Sequence, residues 1–349
     1  MPTQRCSLRT IAKACNCSVA TVSMALREMA RVPVEKRIEI QQAAAAMGYV
    51  RDVEMSRLMS RARRAVPQEA RETFVFLSES PIGPKCDPAL PWLNRMFQQA
   101  QKAARFLGYE FEAVQIRPDR NSQQKLSRNL RTRGIRGLLI GPVTTWHPAE
   151  LSLDWKHFAC VEIGSTLEKP ALHRVERGFY DDLLDTYAHL YRCGYRRVGL
   201  ALPGMRLDFM RHMPEAALLY FEQNHPDMQH ITPMHEAHEW SFSAFKRWLT
   251  HQKPDVLLVY EPDVTDWLRR LKIRVPRDLG VFYLNAINRK QSGLMPDVSL
   301  MIHEAIHLLA RTVESGEYGI PQHVRSHRFR NIFNRGTTVA KKKTKKAMS

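Results

Sequence analysis

The chain has 349 residues, long enough for two or three folded units, and 44% of them are apolar, enough to fill real cores. Its formal net charge of +18 points to a polyanionic partner, nucleic acid before all others. No run approaches the ~18 uncharged apolar residues of a membrane span, and "MPTQRCSLRT" lacks the apolar centre of a secretory signal. The six cysteines are sparse and irregularly placed, which excludes a disulfide framework and fits a reducing cytoplasm.

In chain order, residues 7–48 are dense in Ala, Val, Ile, Leu and Met at helical spacing. Residues 49–72 are Arg-rich and poor in core residues, and read as a linker. Residues 1–72 hold 13 Lys/Arg against 7 Asp/Glu. From residue 73, short apolar runs alternate with longer amphipathic stretches. Strands are expected at 73–77, 110–116, 137–143, 158–164, 197–204, 255–261 and 279–285, and helices at 90–109, 122–134, 178–195, 213–225, 241–252 and 297–316. Continuously apolar strands alternating with helices predict parallel sheets covered on both faces. The length from residue 73 suffices for two such sheets. The ending "AKKKTKKAMS" carries five lysines and no acid, and reads as a disordered basic tail over 340–349.

The opening stretch "TIAKACNCSVATVSMAL" carries the most information. Ile11, Ala12 and Cys15 share one helical face, and Val22, Ala25 and Leu26 share a face of the next segment. Between them, Asn16 suits a left-handed turn. Ser18 suits the cap of a helix beginning at Val19. A third helix is expected between Pro33 and Gly48. Two short helices joined by a tight turn form a helix-turn-helix, whose second helix can enter a major groove. A plain three-helix bundle fits the same pattern.

The stretch "TIAKACNCSVATVSMALRE…RVPVEKRIEIQQAAAAMGY" resembles the headpiece of the LacI/GalR family of transcriptional repressors. "GIRGLLI" (134–140), "CGYRRVGLAL" (193–202) and "VPRDLGVFYLN" (275–285) resemble that family's periplasmic-binding-protein-like effector domain. The resemblance implies an α/β fold class: an N-terminal all-α helix-turn-helix headpiece, then a two-lobed domain with two parallel sheets. The implied domains are a headpiece over 1–50, a hinge helix and linker over 51–72, and an effector-binding and dimerisation domain over 73–339. Its N-lobe would span about 73–174 and 293–320, and its C-lobe about 175–292 and 321–339.

On the DNA side, the resemblance assigns Val19, Ala20 and Met24 to base reading, with Ser18, Thr21, Ser23 and Arg9 as phosphate or positioning ligands. Arg5 and Lys13 lie nearby in sequence. The family usually has Gly where Asn16 stands and Arg where Met24 stands. An apolar reading face can touch thymine methyls but lacks the bidentate guanine contact of arginine. "DVEMSRLMSRAR" resembles the family's hinge helix, which sets Leu58 as a minor-groove wedge with Arg57 beside it, although Arg51 replaces the usual proline.

The resemblance also places effector residues where strands end, the usual ligand position in open α/β sheets. These are Glu162, Arg211, Trp240, Glu261 and Asn285. Carboxylates, an amide and an indole suit a saccharide or related metabolite. The expected partners are operator DNA, this small molecule and a second copy of the chain, with no cofactor, no metal and no catalytic residue. Two other classes fit parts of the sequence. A periplasmic solute-binding protein would explain the two sheets but not residues 7–48. A zinc hydrolase would explain "HEAIH" at 303–307, a match to HExxH. That pattern needs a third ligand, and His303 and His307 sit at the margin of an apolar helix stripe.

Overall fold

A computed structural model of the chain describes residues 8–26, 32–47, 72–83, 90–143, 149–234, 240–260 and 262–342, without the side chains of Ser23 and Met205. Arg5, Arg57, Leu58, Glu261 and residues 343–349 lie outside the described residues. The chain divides into two compact units, residues 1–175 with 299–326, and residues 176–298 with 327–349.

The N-terminal helices are α1 (Leu8–Ala14), α2 (Val19–Ala25) and α3 (Val34–Ala46). They enclose an apolar cluster of their own, built on Ile11, Ala12, Cys15, Val22, Ala25, Val32, Ile40 and Ala44. The turn forms as its residues require. Asn16 adopts φ 44°, the left-handed region that asparagine tolerates. Ser18 caps α2 by accepting from the Thr21 N–H at 3.0 Å.

The remainder of unit 1 is built on β1 (Thr73–Ser78), α4 (Pro91–Phe106), β2 (Glu110–Gln115), α5 (Arg120–Thr132), β3 (Gly137–Ile140), β4 (Ala159–Ile163) and β5 (His173–Arg177), whose last two residues, Glu176 and Arg177, already belong to unit 2. The strands β1 to β5 pair in parallel, in the order β5-β4-β3-β1-β2. β10 (Ser326–Phe329) extends this sheet beyond β5. Helix α4 buries Leu93, Met96, Ala100 and Ala104, one face at i, i+3 and i+4 spacing. It stops where Gly108 takes φ 91° and the Tyr109 N–H returns to the Ala104 carbonyl.

Unit 2 carries α6 (Phe179–Arg192), β6 (Val198–Ala201), α7 (Gly204–Phe209), α8 (Met213–Gln223), α9 (Phe242–Gln252), β7 (Val256–Val259), α10 (Asp263–Arg270), β8 (Gly280–Tyr283) and β9 (Gly293–Met295). Strands β6 to β9 are parallel, and β11 (Ile332–Asn334) pairs antiparallel with β9. The long helix α11 (Val298–Ser315) enters unit 1. The expected α/β class with two largely parallel sheets and a helical headpiece is the observed one.

Boundaries differ in informative ways. The chain passes between units after 175, 298 and 326, rather than after 174, 292 and 320. The second crossing comes later because β9 completes the unit 2 sheet. The third comes later because Arg325 is bound to His173 of unit 1, its N–H donating to Nδ1 at 3.1 Å. The ordered chain also runs further than expected. Ala340 N–H donates to the Tyr195 hydroxyl (3.2 Å), Lys342 N–H to the Cys193 carbonyl (2.8 Å), and Lys342 Nζ to Asp255 (2.7 Å). Residues 340–342 therefore belong to unit 2, not to a disordered tail.

Candidate functional site

The headpiece places its second helix outward. Ser18, Val19 and Ala20 are exposed, Val19 at 40%, while Val22 and Ala25 point into the core. Thr21 is half-buried, its hydroxyl 2.8 Å from that of Ser18. Met24 is half-buried against the headpiece core and lines a surface hollow with Thr21, Val32, Pro33 and Lys36. Arg9 and Lys13 are exposed on α1. Lys36 is occupied internally: Nζ donates to the Cys15 carbonyl (2.9 Å) and to Glu39 (2.8 Å), tying α3 to the end of α1. The structure thus brings together Arg9, Ser18, Val19, Ala20, Thr21 and Met24 on one small helical unit with an apolar outer face.

Unit 2 gathers polar groups where its strands end. Asn285 follows β8 and is half-buried, with its Oδ1 3.4 Å from Arg177 Nη1. Arg177, the last residue of β5, is the centre of the cluster. Its Nε donates to Asn331 Oδ1 (2.7 Å) and its Nη2 to the Leu284 carbonyl (2.7 Å). Its guanidinium lies 4.2 Å from the centre of the Phe179 ring. Arg206 of α7 sits 5.0 Å over the ring of Tyr260. Burial depresses the Arg177 pKa, because a charged group loses water there.

The other expected effector residues are dispersed. Trp240 packs in the cluster of β7, β8 and α10, its ring 5.1 Å from that of Trp267. Its indole N–H is buried without a hydrogen-bond partner among the described residues. Arg211 is exposed on the turn between α7 and α8, at φ 50°. Glu162 lies in unit 1, fully buried in β4. Its Oε1 accepts the Leu167 N–H at 2.8 Å, and Oε2 stands 3.8 Å from Arg174 Nε. That carboxylate is engaged by its own unit, a structural use that the strand-end reading did not foresee. Reading the sequence also passed over Arg177, Arg206, Tyr260 and Asn331. Arg177 ends "HRVER", too charged to be taken as a strand, and Asn331 joins it only through the fold.

Beside Arg211, His212 is also left-handed, at φ 54°. Its Nδ1 is 2.6 Å from Glu215 and its Nε2 3.3 Å from Asp208. The bond to Glu215 raises its pKa above the usual 6.5. The protonated pairing therefore supports this turn fully below pH 6.5 and is lost as pH rises through the raised value. An NMR titration should find the His212 midpoint above 6.5, and Glu215→Gln should lower it. An unchanged midpoint in that variant would show that Glu215 is not the cause.

The HExxH match is organised as a helix surface. His303 and His307 place their Nε2 atoms 3.2 Å apart, and Glu304 accepts from Arg311 at 3.1 Å. No cluster of three or more His, Cys, Asp or Glu suited to a metal occurs among the described residues. No described helix is long and apolar enough to cross a membrane.

No protein-family profile matches the chain, and no curated protein matches it. Solved structures do. The lac repressor dimer bound to operator and the anti-inducer ONPF is 15% identical, with TM-score 0.56, covering 97% of this chain and 100% of its own. A complex of the transcriptional regulator CelR with cellobiose is 16% identical, with TM-score 0.53, covering 95% and 100%. A periplasmic binding protein/LacI transcriptional regulator from Alkaliphilus metalliredigens QYMF, complexed with D-xylulofuranose, is 12% identical, with TM-score 0.57, covering 77% and 100%. The chain thus has the fold of the LacI-type transcriptional regulators, headpiece helices and both sheet units included.

Proposed function

We propose that this protein is a sequence-specific DNA-binding regulator of transcription, a repressor whose operator affinity is set by a small metabolite, and not an enzyme. The observation that carries the reading is the headpiece itself. A capped second helix with an exposed face of Ser18, Val19 and Ala20 follows a left-handed turn at Asn16. The shared fold of proteins whose complexes hold operator DNA or cellobiose supports both halves of the proposal.

In this reading α2 enters the major groove. Val19, Ala20 and Met24 meet base edges, while Ser18, Thr21, Ser23 and Arg9 hold phosphates. Leu58, with Arg57 beside it, wedges a minor-groove step. The protein acts as a homodimer in the cytoplasm, because one short helix reads too few bases and two half-sites multiply the contacts. The effector, a saccharide or related metabolite, binds where strands end, with Asn285, Trp240, Glu261 and Arg211 as candidate ligands. Glu162 contributes by fixing its loop.

Selection of duplex DNA from a random pool by the full chain tests this. Two related half-sites should be enriched, and affinity for them should fall about a thousandfold or more between about 50 and 200 mM salt, as six or more phosphate contacts require. A pool without enrichment, or binding indifferent to salt, would reject the proposal.

A further inference from the structure

Helix α11 carries two histidines one turn apart. His303 is exposed and His307 half-buried. The other side of the helix buries Met301, Ile302, Ala305, Ile306 and Leu309, so the core fixes the backbone that carries the pair. Side chains at i and i+4 lie side by side on a helix. The two ring centres are 4.3 Å apart and the two Nε2 atoms 3.2 Å, so the imidazoles converge at their Nε2 ends.

That separation is the bite of a chelate. An ion such as Zn2+ binds imidazole nitrogen at about 2.0–2.1 Å. Two such bonds meeting at about 100° set their nitrogens about 3.2 Å apart, between the right angle of square-planar coordination and the tetrahedral angle. The rings also suit ligation in their protonation. Burial, and after it the nearness of His303, holds the His307 pKa below the usual 6.5, which keeps this imidazole neutral at pH 7. One ring now donates its Nε2 proton to the other. On ligation that ring carries its proton on Nδ1 instead, and both Nε2 lone pairs face the ion. Arg311, the cation one turn further on, is paired with Glu304 at 3.1 Å, which tempers its repulsion of an incoming ion. As a hydrolase motif the pair would need a third protein ligand. As a chelate it needs none, and water completes the coordination shell.

We infer that His303 and His307 bind a late first-row divalent ion, Cu2+, Ni2+ or Zn2+, as a two-imidazole chelate on the surface of α11. Mg2+ and Ca2+, which take oxygen ligands, do not compete for it. The helix is already folded, so the second imidazole binds in an intramolecular step at little ordering cost. The ion clips two successive turns of α11 together, near the start of the segment that runs from unit 2 into unit 1. This site is independent of the DNA-binding reading and stands or falls without it.

Calorimetric titration of the untagged full chain with NiCl2 tests it. The chain holds 14 histidines, so the variants carry the assignment. His303→Ala and His307→Ala should each weaken the tightest site about a hundredfold, since each leaves one imidazole without its neighbour. His323→Ala, at an exposed position elsewhere, should leave that site unchanged. CuCl2 should bind more tightly than NiCl2, and MgCl2 should not displace either. With less than one equivalent of Cu2+, electron paramagnetic resonance should show two nitrogen ligands in the wild type and lose that signature in His303→Ala. Ni2+ should also raise the melting temperature of the wild type more than that of His303→Ala. The inference is overturned if either alanine variant titrates like the wild type, if His323→Ala loses as much affinity as they do, or if the copper spectrum is the same with and without His303.

Discussion

Ile40→Ala should abolish sequence-specific DNA binding while leaving both sheet units folded. Ile40 is wholly buried in the headpiece cluster, which it shares with Ile11 and Val22 and which holds eight buried residues among those described. Truncating such a side chain costs about 2–5 kcal/mol, the lost transfer energy plus the cavity. A unit this small rarely holds more than about 3–5 kcal/mol of net stability. One cavity therefore removes most of what keeps α2 in place. Specific binding should fall to the non-specific level, a loss of about a thousandfold or more. The main melting transition, set by the sheet units, should stay where it is, because Ile40 has no share in their cores. Two residues away on α3, Ile38 is 48% exposed, and Ile38→Ala should leave both readouts intact. Wild-type DNA binding by Ile40→Ala would show that the headpiece does not carry recognition.

The headpiece was legible in the sequence because its determinants are local. A cap, a left-handed turn residue and a helical stripe lie within twenty consecutive residues, and Ser18 and Asn16 do what their chemistry favours. The buried strands were legible for a related reason: runs such as Phe74–Leu77 and Val256–Val259 are apolar throughout. Strand β5, "HRVER", was not. Four of its five residues are charged or titratable, yet His173, Arg174 and Glu176 are buried. They are tolerated because partners reach them, Glu162 from the neighbouring strand for Arg174, and from far along the chain Glu317 and Arg325 for His173 and Arg328 for Glu176. No window of local periodicity can see a counter-ion 144 residues away. The same limit hid the Arg177 cluster, whose members come from five separate segments. Helix α10 escaped for a different reason: in "DVTDWLRR" Val264 and Leu268 alone are buried, a single i, i+4 pair, with Trp267 packed beside them at the edge of the core.

Glu162 shows how a residue at the right place along a strand can serve another purpose. The end of β4 is where ligands gather in open α/β sheets, so a carboxylate there invites a reading as an effector ligand. In the fold it is fully buried, accepts the Leu167 N–H and faces Arg174, itself buried in the neighbouring strand. Removing one member of a buried charged pair leaves the other desolvated and unopposed, at a cost of about 3–5 kcal/mol. Glu162→Ala should therefore lower stability by that order in equilibrium denaturation of the full chain. Arg174→Met should cost a similar amount, and the double variant should cost much less than the two added together, since with both charges gone neither is stranded. Glu162→Gln separates charge from hydrogen bonding. Its amide oxygen can still accept from Leu167, so it should retain the loop contact yet still strand Arg174, and fall between wild type and Glu162→Ala. A Glu162→Ala protein of unchanged stability, with effector response lost, would return Glu162 to the ligand site. Strictly additive losses would show that the two charges do not act as a pair.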